Sequence, residues 1–343
     1  MSELLSSSVS NKYSIKSVEE DLKNALYKKF GARYLKYRDK YSDYLGKKKT
    51  EEILEYPISV ILELVNRCNL ECTMCYQGFR NDTEKSVLSD EDLKNLFEEF
   101  KKNKLDALLL STSEPLLYKK FSWIVEMAAK AEIMDIFMFT NGILLNEKNS
   151  DIILNSAITR LFISIDAATE ETYDKVRIPV NKKILNTNRL AKLEENVINF
   201  VEKRKKLKKI LPLVRVSFVV LEKNKHELNN FINKWEKIVD SVEIQTENSI
   251  DLYDQLKNNF IIKKKLKEYK CNEPWGQVAI HADGTVGPCC NTVGRNVPIG
   301  NVKNESLKEI WSGKLMKDIR DGFLINKPNK VCQLCLENVN KII

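Results

Sequence analysis

The spacing of apolar residues changes near position 57. Before it, Val18, Leu22, Ala25, Leu26 and Phe30 recur on one helical face, with Ser17 and Glu20 placed to form a capping box. Tyr34, Tyr37, Tyr41 and Tyr44 follow among lysines and arginines. Residues 1–56 therefore read as a helical N-terminal extension, either a cover packed on the next domain or a docking surface. From Ile58 the pattern becomes short apolar runs alternating with amphipathic stretches. Runs at 58–64, 105–110, 133–139, 161–166, 213–221 and 239–245 read as six strands. Ser89 and Asp92 can cap a helix carrying Leu93, Leu96, Phe97 and Phe100. Phe121, Ile124, Val125 and Ala128 mark another, and Leu190, Leu193, Val197, Phe200 and Val201 a third. Leu228, Phe231, Ile232 and Trp235 mark the last of this region. Repeated βα order predicts an α/β fold with largely parallel strands. Six units are too few for an eightfold barrel, so a curved, partly open (β/α)6 barrel over 57–262 fits better than a closed barrel or a flat sheet, shapes that periodicity alone does not separate. A smaller domain, 263–343, opens near Cys271. Its IHADGTV segment reads as a hairpin turning at Asp283-Gly284, followed by a helix with Leu307, Ile310, Trp311 and Leu315.

Composition narrows the class. The chain has 343 residues, 43% hydrophobic and 30% charged, which excludes a disordered or fibrous protein. No uncharged apolar run reaches the roughly 18 residues of a membrane span, and residues 1–20 lack a signal-peptide core, so a cytoplasmic protein is expected. The net charge of +8 is weak support for nucleic acid. Its densest run, 203–209, closes a helix where cations favour the dipole, and no interleaved aromatics suggest a nucleic-acid groove. The informative counts are eight cysteines against two histidines, His226 and His281. Without a secretion signal, disulfides are a poor explanation for thiols in two tight groups.

The first group is Cys68-Asn-Leu-Glu-Cys72-Thr-Met-Cys75, directly after the first strand. Three soft ligands in one loop can hold three corners of a cubic iron–sulfur cluster and leave the fourth iron open to a chelating molecule. Zinc is the rival, and it asks for four ligands at a structural site.

Cys68-x-x-x-Cys72-x-x-Cys75 in this place resembles the radical S-adenosylmethionine (SAM) superfamily. The resemblance covers about 57–250 and implies a six-stranded partial barrel, a [4Fe-4S] cluster on Cys68, Cys72 and Cys75, and SAM on the open iron. One electron then splits SAM, and the 5′-deoxyadenosyl radical takes a hydrogen atom from the substrate. Met74 matches a position that packs near the adenine. Ser113-Glu114-Pro115 follows the second strand where the family has Gly-Gly-Glu-Pro and binds the methionyl amine. Both glycines are replaced here, by Thr112 and Ser113. Asn141, in Thr140-Asn141-Gly142, and Ser164 and Asp166, after the fourth strand, match further cofactor-pocket positions. Arg177 and Arg215 are weaker candidates for the methionyl carboxylate.

The second group is Cys271, Cys289-Cys290 and Cys332-x-x-Cys335. Cys271, Cys289, Cys332 and Cys335 can close a four-thiolate site, for a second [4Fe-4S] cluster or for zinc. The region is similar to the twitch and SPASM auxiliary-cluster domains. Five cysteines suit one auxiliary cluster rather than two, with Cys290 the spare thiol or the alternative ligand.

The resemblance implies an oxidoreductase with SAM and two [4Fe-4S] clusters, drawing electrons from a low-potential donor such as flavodoxin or ferredoxin. A small hydroxylated substrate, sugar or aminocyclitol-like, is favoured over a peptide, because residues 1–56 lack the strand-rich pattern of a winged peptide-recognition domain. The auxiliary cluster is then the electron acceptor, a relay, or a structural cross-link. His281, in the auxiliary hairpin, is a candidate base; His226 sits in a helix away from the barrel mouth. A non-catalytic iron–sulfur or RNA-binding protein is the reading of another class.

Overall fold

The structure, a computed structural model, describes residues 10–14, 16–46, 52–75, 87–185, 187–246, 266–289 and 295–339. Six strands fall on the six apolar runs: β2 (Ser59–Leu62), β3 (Ala107–Leu110), β4 (Asp135–Thr140), β5 (Arg160–Ser164), β6 (Leu213–Val220) and β7 (Ser241–Thr246). Each pairs in parallel with the next. β7 does not return to β2, so the barrel stays open. Between the strands run α3 (Asp90–Lys102), α4 (Phe121–Lys130), α5 (Glu147–Leu154), α6 (Glu170–Val176), α7 (Arg189–Lys206) and α8 (Leu228–Trp235).

These helices form where the periodicity and caps place them. Ser89 and Asp92 close a reciprocal capping box on α3, and Leu93, Leu96, Phe97 and Phe100 are all buried. The apolar stripes of α4 and α7 are likewise buried against the sheet. Each fully buried side chain of this kind contributes about 1.5–3 kcal/mol.

Two additions enlarge the sheet. The N-terminal extension is not wholly helical: β1 (Ser10–Ser14) pairs antiparallel with β7 and closes its open edge. Its sequence, SNKYS, is polar and carries no strand signal; the unpaired backbone of β7 supplies the partner. Helix α1 (Lys16–Phe30) begins one residue before Ser17, which therefore lies in the first turn rather than capping it. At the other side, β8 (Gln277–Ile280) lies parallel to β2 and starts the hairpin with β9 (Thr285–Gly287) and β10 (Gly300–Asn301). The hairpin turns at Gly284, whose φ of +90° suits glycine. Among the described residues the sheet thus has ten strands, in the order β1-β7-β6-β5-β4-β3-β2-β8-β9-β10.

Helix α2 (Ala32–Tyr44) packs across the N-terminal ends of β3 and β4. Tyr34, Tyr37 and Tyr44 are buried. Tyr37 Oη donates to Asp135 Oδ2 at 3.2 Å, and Lys40 pairs with Asp106. The tyrosine-rich segment is therefore a cover on the barrel base. After β10 come helices Leu307–Ser312, Lys314–Leu324 and Lys330–Val339, the first joined to α3 where Leu307 N–H donates to Glu99 Oε2 at 3.0 Å. Arg320 stacks on Trp311 at 4.2 Å and donates to the carbonyls of Pro274 and Trp311. Trp275 packs edge-on against Phe323 as a core residue. No helix among the described residues is long and apolar enough to cross a membrane.

Candidate active site

Parallel strands present their C-terminal ends together, and the loops leaving them build the site. The loop after β2 carries Cys68, Cys72 and Cys75, all free thiols. It is tied to the segment after α6: Glu71 N–H donates to Ile178 O at 2.7 Å, Thr73 N–H to Val176 O at 3.0 Å, and Val180 N–H to Asn69 O at 3.1 Å. Met74 is half-buried beside these thiols in sequence.

Neighbouring strand ends reach the same loop. Asn141 Nδ2, after β4, donates to Asn69 Oδ1 at 2.7 Å and lies 3.6 Å from Cys68 Sγ. Arg177 Nη1 lies 3.4 Å from Cys72 Sγ, and the same guanidinium pairs with Asp166. Burial pushes the Cys68 thiol up to about 12, with Glu114, Cys72 and Cys75 adding to it. Burial also raises Cys72, against the pull of Arg177. Three mutually interacting soft donors in one loop, without a fourth protein ligand in it, fit a cluster with one open iron.

Glu114 and Asp166 are buried behind this surface. Glu114 Oε1 accepts from Thr140 Oγ1 at 2.9 Å and Leu116 N–H at 3.2 Å, and Oε2 from Asn141 N–H at 2.8 Å. It binds the loop after β3 to the loop after β4. Burial nevertheless outweighs these donors and raises its carboxyl to about 7. Asp166 Oδ1 accepts Val219 N–H at 2.8 Å while Oδ2 takes Arg177. Ser164 Oγ lies 3.4 Å from Ser217 Oγ, and Ser113 Oγ donates to Glu63 Oε1 at 3.0 Å. The loops themselves turn sharply. Gly142 has φ +74°, and a Cβ there would meet Leu193 Cδ1 at 2.3 Å. Asp166 has φ +63°, and Thr112 holds φ +78° although it is β-branched. Thr112 therefore keeps a glycine-like backbone without the glycine.

Arg215 is elsewhere occupied: it pairs with Glu243 at 3.2 Å and stacks on Phe162 at 4.3 Å. His226 is exposed beside Glu227, before α8. In the basic run, Lys203 pairs with Asp151, and Arg204 is buried against Asp240.

In the second thiol group, Cys271, Cys289 and Cys335 approach one another from distant segments. Cys271 precedes β8, Cys289 follows β9, and Cys332 and Cys335 stand three apart on one face of helix Lys330–Val339. Burial holds Cys271 well above its ordinary value, with Cys289 and Cys335 among the neighbours that raise it further. Burial lifts Cys332 to about 11. Four soft donors suit a closed cluster. Cys290, the alternative ligand, lies outside the described residues.

The periodicity did not reveal Glu63 or the contact of Arg177 with Cys72. Glu63 had a signal, being the single carboxylate in the apolar run 58–65. The Arg177–Cys72 contact had none, because the two residues lie 105 apart in sequence.

The pattern of the Radical SAM superfamily matches residues 62–232, and that of the SPASM iron-sulfur cluster-binding domain matches 271–336. The chain belongs to the radical SAM superfamily. Such an architecture, a radical SAM barrel with a SPASM-type domain, holds SAM and two [4Fe-4S] clusters. Among curated proteins it is similar to a probable GTP 3′,8-cyclase of Methanococcus maripaludis, 28% identical over 35% of this chain and 40% of the relative. The GTP 3′,8-cyclase of Clostridium acetobutylicum is 28% identical over 50% of each. The chain thus spans about two fifths to half of these relatives' lengths.

Solved structures share the fold at low identity. Native anSMEcpe with bound AdoMet and Cp18Cys peptide has a TM-score of 0.55 at 16% identity, covering 83% of this chain and 99% of that one. Streptococcus suis SuiB bound to precursor peptide SuiA scores 0.53 at 15%, covering 84% and 71%. BtrN in complex with AdoMet and 2-DOIA scores 0.50 at 14%, covering 83% and 93%.

Proposed function

We propose that this chain is a radical SAM oxidoreductase that modifies a side chain of a peptide. The observation that carries the radical chemistry is the convergence of Cys68, Cys72, Cys75, Asn141 and Arg177 at the strand ends of a radical SAM barrel. When bound, a cluster on the three thiols supplies the single electron that splits SAM and yields the radical that removes hydrogen from substrate carbon. In this reading Met74, Ser113, Asn141 and Ser164 line the SAM pocket. Glu114 and Asp166 hold its loops in register, Glu114 through Thr140 and Asn141, and Asp166 through Arg177. Arg177 places positive charge beside Cys72 and favours its thiolate. Cys271, Cys289, Cys332 and Cys335 would hold the auxiliary cluster, which would supply an electron acceptor for the oxidation. A low-potential flavodoxin or ferredoxin supplies the electron that splits SAM, and an oxygen-sensitive enzyme of this kind belongs in the cytoplasm.

The similarity of fold to two peptide-bound proteins, SuiB and anSMEcpe, supports a peptide over the small hydroxylated molecule that the sequence favoured. The likeness to BtrN keeps an aminocyclitol as the competing outcome. The cyclase relatives match too little of the chain to bear on its substrate.

The test is anaerobic. Reconstituted enzyme, SAM and dithionite are incubated with Cys- and Ser-containing synthetic peptides, or with an aminocyclitol. The expected result is 5′-deoxyadenosine together with loss of two hydrogens from a peptide. Oxidation of the aminocyclitol alone sinks the peptide reading, and absence of 5′-deoxyadenosine under every condition sinks the radical chemistry.

A further inference from the structure

Two residues 218 apart in sequence meet at the barrel mouth because β8 pairs in parallel with β2. Leu62 stands opposite Ile280, so the residues that follow them, Glu63 and His281, leave the sheet side by side. They leave it at the strand ends from which the cysteine loop and Ser113 also emerge. Both are buried, Glu63 at 0% and His281 at 4% exposure.

Glu63 Oε2 lies 3.2 Å from His281 Nδ1 and accepts Ala282 N–H at 3.2 Å and Arg295 Nη1 at 3.0 Å. Its Oε1 takes the Ser113 hydroxyl. Arg295 in turn reaches Asp283 Oδ2 at 3.4 Å. A carboxylate gripped by a guanidinium, a hydroxyl and an amide N–H is an acceptor, so the proton of neutral His281 sits on Nδ1. That leaves a lone pair on Nε2. Nε2 is buried and has no hydrogen-bond partner among the described residues. A fold that holds one imidazole nitrogen on a carboxylate fixed by three further donors, and leaves the other nitrogen bare, calls for an occupant at the bare one.

We propose that His281 Nε2 is the base of the oxidation and that Glu63 is its positioning residue. This rests on the proposed radical chemistry. One hydrogen atom leaves the substrate carbon for the 5′-deoxyadenosyl radical. The O–H or S–H on that carbon gives its proton to Nε2, the carbon–heteroatom double bond forms, and the remaining electron passes to the auxiliary iron–sulfur cluster as oxidant. The substrate loses two hydrogens and two electrons. The imidazolium is held by Glu63, just after β2; the charged groups about that carboxylate are Arg295 and, through it, Asp283, on the auxiliary side, with Ser113 its neutral contact after β3.

With only two histidines, ¹⁵N-histidine labelling of the reconstituted, oxidised enzyme gives two imidazoles. The one lost in His281→Asn should show protonated Nδ1 and bare Nε2, and Glu63→Gln should mix its tautomers. Asn supplies an amide N–H near the position of Nδ1 and nothing at Nε2, so it spares the contact with Glu63. With the same Cys- and Ser-containing peptides, oxidised peptide per 5′-deoxyadenosine should fall about a hundredfold in His281→Asn. A resting tautomer with protonated Nε2, or an unchanged ratio, overturns the proposal. If the wild type yields no 5′-deoxyadenosine or oxidises none of the peptides, the functional reading fails instead, and the tautomer measurement still decides the state of His281.

Discussion

At the scale of single residues, the site rests on side chains whose usual preferences are overruled. Thr112 takes a left-handed backbone that a β-branched residue avoids, and such strain persists only where surrounding structure over-determines it. Glu114 is buried with three donors aimed at it, yet burial holds its carboxyl at about 7 rather than near 4.5. The folded chain therefore binds this proton more tightly than the unfolded one. Stability from Glu114 is complete below about pH 4.5 and is lost as pH rises through 7, to a total of at most about 3 kcal/mol. The melting temperature of the metal-free chain should consequently fall more steeply from pH 5 to 8 in wild type than in Glu114→Gln. Parallel profiles would place the proton elsewhere. The chemical identity of this residue was legible from Ser113-Glu114-Pro115. Its orientation was not, because the donors come from residues 140 and 141, and local spacing says nothing of a partner across the strand.

At the scale of elements, what was legible depended on whether an element carries its own pattern. The six barrel strands each have an apolar run, and α3 has both stripe and cap. β1 has neither and forms because β7 offers an edge. The position of α2 was equally hidden: its tyrosines announce a buried face, but the polar groups it meets lie 66 and 98 residues on. Those groups form a buried hub. Asp135, at the start of β4, takes Arg160 from β5 at 3.0 Å, Thr159, and Tyr37 from α2. Burial would raise its carboxyl, but Arg160 holds it below its ordinary value. Asp135→Asn leaves a buried guanidinium without its counter-charge and should cost about 3–5 kcal/mol. Tyr37→Phe removes one hydrogen bond and should cost about 1 kcal/mol. Denaturant unfolding measures both. Equal small losses would show that α2, not the ion pair, carries the hub.

At the scale of the whole molecule, the sequence suggested a barrel and a smaller C-terminal auxiliary domain, and one sheet runs through both. No local pattern could disclose that, since β2 and β8 are joined only by register across more than two hundred residues. The continuity raises the question of whether the two thiol groups load together. Each has its own scaffold: the first loop is pinned by residues 176–180, and the second group by the hairpin and helix Lys330–Val339. Neither shares a thiol with the other. Burial holds Cys68 at about 12 and Cys332 at about 11 before loading, so both sites release protons as iron binds, and loading should improve as pH rises. The loaded chain is correspondingly less basic than its formal +8. Independent scaffolds predict about eight irons per reconstituted wild-type chain and about four in either Cys72→Ala or Cys335→Ala. Only Cys72→Ala should lose reductive SAM cleavage completely, because the open iron belongs to the first site. Iron analysis and 5′-deoxyadenosine formation on the same samples separate the alternatives. If either substitution empties the chain of iron, the continuous sheet couples the two sites, and the auxiliary cluster is then a folding partner of the barrel as well as an electron acceptor.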